Sequence, residues 1–199
     1  METLIAVAGL ITVAAITPGP NNFIVLERTV RGGFRAGLPA IAGVMAGTQL
    51  LLLLIWLGAG ALFAEEPRLR DALMLIGAGY LLWLGFNMVR QSFARSTDNE
   101  TASLVPIRSF ASLVLFQFLN PKSWVLVLTA TAALSGDVSD LSTLLSLTLL
   151  FLVITGTCLT LWALMGAGLT HLLADQACSQ WFDRAMGVLL IISAALLLT

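Results

Sequence analysis

Two short strings carry the residues whose types and spacing could do chemistry: Thr17-Pro18-Gly19-Pro20-Asn21-Asn22 and Asn120-Pro121-Lys122. Each interrupts an apolar run after about 14 residues, roughly 21 Å of helix, and so lies inside a bilayer rather than at its edge. Proline within a helix removes an amide donor and clashes with the preceding turn, so the helix must bend or restart. Proline is also favoured as the first helical residue, behind an Asn, Ser, Thr or Asp cap. Asn120-Pro121 therefore reads as a cap followed by a new helix. In the first string, Thr17 could cap a restart at Pro18, or Gly19 one at Pro20. Free amides at a helix start carry about half a positive charge and suit an anion. The preceding helix ends leave free carbonyls, which suit an ammonium group or a proton. Two such breaks would offer complementary ends to a zwitterion, and an amino acid is the natural ligand.

Lys122 is the only lysine and lies within an apolar run. Such a charge costs about 2.5–3.5 kcal/mol on insertion scales, so a functional role is the default expectation. It could attract a carboxylate, or lose its proton during a cycle. The expected substrate-binding residues are Pro18, Gly19, Pro20, Asn21, Asn22, Asn120, Pro121 and Lys122. Thr48, Gln49, Gln117 and Ser123 are further cavity-lining candidates, although each could equally bond a neighbouring helix. No acid is read as deep in a segment, Glu27 being nearest to the first break. Metal carriage would want several buried carboxylates, so neither metal nor cofactor is expected. Enzymatic metallohydrolysis or aspartyl chemistry would need grouped His and acids or paired aspartates, and the chain offers one histidine, His171, near a helix end. Cys158 and Cys178 are too few and too unpatterned for a disulfide framework.

The elements that must hold these residues are apolar helices. Of 199 residues, 58% are hydrophobic and 11% charged, where a soluble domain carries about 25% charged. The mean hydropathy is +0.96. No extended basic patch invites nucleic acid. Six apolar segments stand out: Thr3–Leu26, Ala36–Ala64, Leu69–Val89, Ile107–Leu134, Leu141–Leu173 and Trp181–Leu198. They lack period-2 alternation, and only helices or closed barrels satisfy the backbone in lipid. No Lys or Arg precedes the first run, so it reads as a retained membrane helix rather than a signal peptide.

The expected fold is an all-α membrane protein of six transmembrane helices in one domain, residues 1–199. Residues 1–91 would form one repeat, 92–106 a cytoplasmic linker and 107–199 a second repeat. Three helices per half require the repeats to be inverted, with helices 1 and 4 broken at mid-membrane. Matched Pro/Gly interruptions of this kind point to a transporter binding site. Seven arginines (Arg28, Arg31, Arg35, Arg90, Arg95, Arg108, Arg184) flank the loops after segments one, three and five, against Arg68 and Arg70 on the other side. That bias predicts a cytoplasmic odd-numbered side and both termini outside. Residues 31–35, Arg-Gly-Gly-Phe-Arg, read as a tight turn. Gly43 and Gly47 have the spacing for close helix packing, internal before intermolecular, which leaves a homodimer open.

The string from Ile16 to Gly47, ITPGPNNFIVLERTVRGGFRAGLPAIAGVMAG, resembles the opening signature of the LysE/RhtB amino-acid exporters. AGYLLWLGFNMVR (Ala78 to Arg90), FQFLNPKSW (Phe116 to Trp124) and WFDRAMGVLLIISAALLL (Trp181 to Leu198) are similar to that family's third, fourth and closing helices. The resemblance covers nearly the whole chain in order. It implies a secondary active exporter in the bacterial inner membrane, taking amino acids or derivatives outward by proton antiport and alternating access. Many members carry aspartate directly after the second glycine of the second helix, where this chain has Thr48. With its PGPNN string, the chain is similar to the cysteine/O-acetylserine exporter branch, which implies a small neutral substrate. Basic substrates would want a buried acid, and none is evident. The alternatives are a non-catalytic membrane assembly or scaffold protein, and a thiol electron carrier of a related six-helix fold with a cysteine in each half. Here both cysteines lie in the second half.

Overall fold

The computed structural model describes residues 2–94, 109–134, 141–171 and 175–197. Most of the expected linker 92–106, together with Arg95, Arg108, Asp137 and Asp140, lies outside the described residues. Within them the secondary structure is helical throughout: α1 (Glu2–Ile16), α2 (Pro20–Gly32), α3 (Phe34–Leu54), α4 (Gly60–Glu65), α5 (Pro67–Ala94), α6 (Phe110–Leu119), α7 (Pro121–Ala133), α8 (Leu141–Leu169) and α9 (Gln176–Leu197). A π-helical turn, Ile55–Ala59, joins α3 to α4, kinked where Gly58 adopts φ 112°. Gly33 makes the turn between α2 and α3 with φ 72°. A residue with a Cβ would be strained there, so the Gly-Gly pair of the arginine-flanked turn has a direct conformational use.

Three described helices are long and apolar enough to cross a bilayer, and five spans are reached if each bent pair crosses as one. The bent pairs are α1 with α2, at 50°, and α6 with α7, at 69°. The sixth expected span corresponds to α9, which carries Asp183 and Arg184 in its first half. Large apolar side chains face outward along the bundle, among them Leu75, Ile76 and Phe86 of α5 and Leu145, Leu149 and Val153 of α8. A lipid-facing surface needs that pattern, whereas water would penalise so continuous an apolar patch.

The buried side chains form two clusters. Val7 and Ile11 of α1 pack with Val127 and Ala130 of α7, Leu51 and Leu52 of α3, and Phe151 of α8. Phe23, Ile24 and Val25 of α2 pack with Leu113 and Phe116 of α6, and with residues of α3, α5, α8 and α9. The first piece of one bent pair thus shares a core with the second piece of the other.

Glycine sets the closest helix contacts. A Cβ on Gly43 would stand 2.7 Å from Leu113 Cβ, and one on Gly47 would collide with Gln117 Cγ. The Gly-x-x-x-Gly face of α3 is therefore used within the molecule, against α6. Gly85 of α5 and Gly187 of α9 face each other across a similarly close contact.

Arg31 of α2 and the Asp183-Arg184 pair of α9 come together beside the last turns of α5. Arg31 Nε lies 2.8 Å from Glu27 Oε1, and its Nη2 lies 3.3 Å from Asp183 Oδ1. Arg184 donates to Ser92 Oγ at 3.2 Å and stacks 3.9 Å above the Phe93 ring. Glu27 and Asp183 are fully buried. The expectation that the chain buries no acid is therefore wrong. The guanidinium of Arg31 accompanies both carboxylates, which lowers the cost of burying them. Helical spacing made the Glu27–Arg31 pair available, but Asp183 arrives from 152 residues away.

Candidate functional site

At the first break, α1 stops at Ile16 and α2 restarts with Pro20 as its first residue, behind an extended Gly19 (φ −169°, ψ 176°). Of the two restarts open in the sequence, the one at Pro20 is adopted. Gly19 has no side chain, so no side-chain cap covers the opening amides of α2. At the second break, Asn120 caps α7 as expected, its Oδ1 accepting from Lys122 N at 3.2 Å. The two helix starts therefore differ in chemistry: the second is closed by its own cap, and the first is open to an anion.

The carbonyl ends are less available than the sequence suggested. Asn22 Nδ2 donates to Ala15 O and Thr17 O, both at 2.9 Å. Lys122 Nζ crosses from the other break to donate to Thr17 O at 3.0 Å. A Cβ on Gly19 would lie 3.1 Å from that ammonium. The missing side chain of Gly19 thus leaves the space that the lysine crosses. The ammonium position inferred from the free end of α1 is filled here by the protein's own lysine and an asparagine amide. The cause is proximity: the two breaks lie side by side.

A chain of amides joins them. Asn21 Nδ2 donates to Gln117 Oε1 at 3.0 Å, and Gln117 Nε2 returns a bond to Asn21 Oδ1 at 2.9 Å. Asn120 Nδ2 donates to the same Asn21 Oδ1 at 3.3 Å, and Ser123 Oγ to Gln117 Oε1 at 2.9 Å. Gln117, Asn120 and Ser123 are buried. Such a network has high stakes in a low-dielectric interior, since any member left unpaired is costly.

Beside the network is a small pocket lined by both breaks. Gly19, Pro20, Asn21 and Asn22 line it from the first break, and Asn120, Lys122 and Ser123 from the second. Thr48 lines it from α3, with its hydroxyl donating to Val44 O at 2.9 Å. Ala14, Ala15, Leu126, Val127 and Leu159 complete an apolar wall. Other expected residues stand elsewhere. Pro18 lines an adjoining groove between α2 and α9, and Gln49 donates to Thr148 O at 3.4 Å. Pro121 packs under Gly77 of α5, and Gln117 acts through Asn21 and Ser123. Thr155 of α8 also lines the cavity and was not anticipated. Its segment is rich in hydroxyl residues, and no spacing rule singles it out.

A pocket walled mostly by apolar groups, with a few convergent polar ones, has the lining of a small-molecule site. Open amides and an ammonium stand at one part, and apolar walls at another.

The chain matches the family described as LysE type translocator over residues 12–199. It is 34% identical over 113 residues to a leucine efflux protein of Enterobacter sp. (strain 638), covering 54% of this chain and 52% of that protein. It is 32% identical over 158 residues to a cysteine/O-acetylserine efflux protein of Klebsiella pneumoniae subsp. pneumoniae, covering 77% of this chain and 76% of that protein. The chain thus spans about half the length of the leucine efflux relatives it matches. No solved structure matches it.

Proposed function

The chain belongs to the LysE type translocator family, a family of transporters rather than enzymes, and on that premise we propose that it is a secondary exporter of small neutral amino acids. The observation that carries this reading is the meeting of the two breaks: Lys122 of one reaches Thr17 O of the other beside a cavity lined by both. The open amides of Asn21 and Asn22 would receive the substrate carboxylate, with Lys122 adding its charge. The substrate ammonium would compete for Thr17 O, and Lys122, released from that carbonyl, would turn to the carboxylate. Names of the relatives, leucine efflux and cysteine/O-acetylserine efflux protein, support an amino-acid cargo.

Export would run by alternating access with proton antiport, across the inner membrane, with both termini outside. The sharing of cores between α1 and α7, and between α2 and α6, supports an inverted pair of repeats, because inversion brings the first piece of one broken helix to the depth of the second piece of the other. In everted vesicles carrying a proton gradient, labelled serine and cysteine should accumulate in a gradient-dependent way. Transport that ignores the gradient, or that survives unchanged in Lys122→Ala and Asn120→Ala, would rule the mechanism out.

A further inference from the structure

Thr155 is the one feature of the cavity that the export reading leaves unused. Its Oγ1 is buried and has no hydrogen-bond partner among the described residues. Its neighbours behave differently. Thr157 and Thr160 on the same helix turn their hydroxyls back to Val153 O and Gly156 O, both at 2.7 Å. Thr48, across the cavity wall, does the same with Val44 O. Threonine in a helix has this intrahelical partner available at no cost in position. Thr155 forgoes it while lining the cavity. A buried hydroxyl without a partner is destabilising, and a ligand that bonds to it recovers that loss.

We propose that Thr155 reads the substrate's side chain, so that the cavity selects a small amino acid carrying one hydrogen-bonding group, a hydroxyl or thiol, on its β-carbon. This rests on the export reading. If the breaks hold the charged ends of the zwitterion, the side chain meets the wall formed by Leu126, Val127, Thr155 and Leu159. That wall is apolar apart from a single hydroxyl, which can both donate and accept. A site built around such a group discriminates strongly against an analogue lacking the partner, whereas an apolar wall rejects an added hydroxyl only weakly.

The test uses the full chain, purified in detergent and reconstituted, with L-serine and its isostere L-2-aminobutyrate as probes. Thr155→Val preserves shape and removes the hydroxyl; Thr155→Ser preserves the hydroxyl. The parent should gain more thermal stability from serine than from 2-aminobutyrate and transport it faster. Thr155→Val should melt no lower than the parent without ligand, and should lose the serine preference by at least about tenfold. Thr155→Ser should keep it. A Thr155→Val protein with the parent's preference overturns the assignment while leaving export standing. So does one that melts lower and loses both ligands equally, as a purely structural threonine would. A parent that responds to neither probe nor to any other amino acid overturns both the assignment and the export reading.

Discussion

Asn21 and Gln117 hold each other through two hydrogen bonds running in opposite directions, 3.0 Å from Asn21 Nδ2 and 2.9 Å from Gln117 Nε2. One residue opens the helix after the first break, and the other stands just before the second. Their pairing ties the two breaks to each other.

Removing the pair whole should therefore cost less than the two single changes added together. Asn21→Leu alone leaves Gln117 Nε2 and Asn120 Nδ2 without Asn21 Oδ1, and Gln117→Leu alone leaves Asn21 Nδ2 and Ser123 Oγ without Gln117 Oε1, at about 1–3 kcal/mol per orphaned group. In the double variant the facing amides of Asn21 and Gln117 vanish together and only Asn120 Nδ2 and Ser123 Oγ lose their partners, so the combined loss should fall short of the sum. A double-mutant cycle on thermal or denaturant unfolding in detergent reads this coupling.

Gly19→Ala should disturb the lysine that crosses it. The added methyl stands 3.1 Å from Lys122 Nζ, so the ammonium must give by a few tenths of an ångström and its bond to Thr17 O weakens. We expect transport to fall by about tenfold or more, since small misplacements at a positioned site have large effects. The protein should remain folded, and counterflow assays beside circular dichroism would separate the two.

Asn22 should matter to the fold more than to the cargo. Its amide ties down Ala15 O and Thr17 O. Asn22→Ala takes this donor from Ala15 O and leaves Thr17 O to Lys122 alone, and should cost about 1–3 kcal/mol. An equal loss of stability in the presence and absence of substrate would identify it as a brace.

Arg31→Met should be strongly destabilising, by about 3–5 kcal/mol, because it takes the guanidinium away from the buried carboxylate of Glu27 and removes one of the contacts of the buried Asp183. Arg184→Met, which loses a ring contact and one bond to Ser92, should cost much less. Unfolding temperatures of the two variants under one condition test the ranking.

The sequence carried the breaks themselves, because proline and a capping asparagine act locally: the restart at Pro121 and the cap by Asn120 follow from three adjacent residues. The tight turn at Gly33 was legible for the same reason. The partners were not. That Lys122 would spend its charge on Thr17 O, 105 residues away, depends on how α1 and α7 pack, which no local pattern encodes. Glu27 was passed over as merely near a break: its partner Arg31 stands one turn along the same helix, but the burial of the pair against Asp183 of α9 comes from packing. Thr155 was missed because its signal is an absent bond, and only packing reveals that.

The central claim is that both breaks serve one substrate site, and counterflow of labelled serine in proteoliposomes tests it most directly. Asn21→Ala, Asn120→Ala and their combination should be compared with the parent. A shared site predicts that each single variant loses most of the exchange and that the double loses little more. Full exchange in either single variant, or losses that simply multiply, would contradict it.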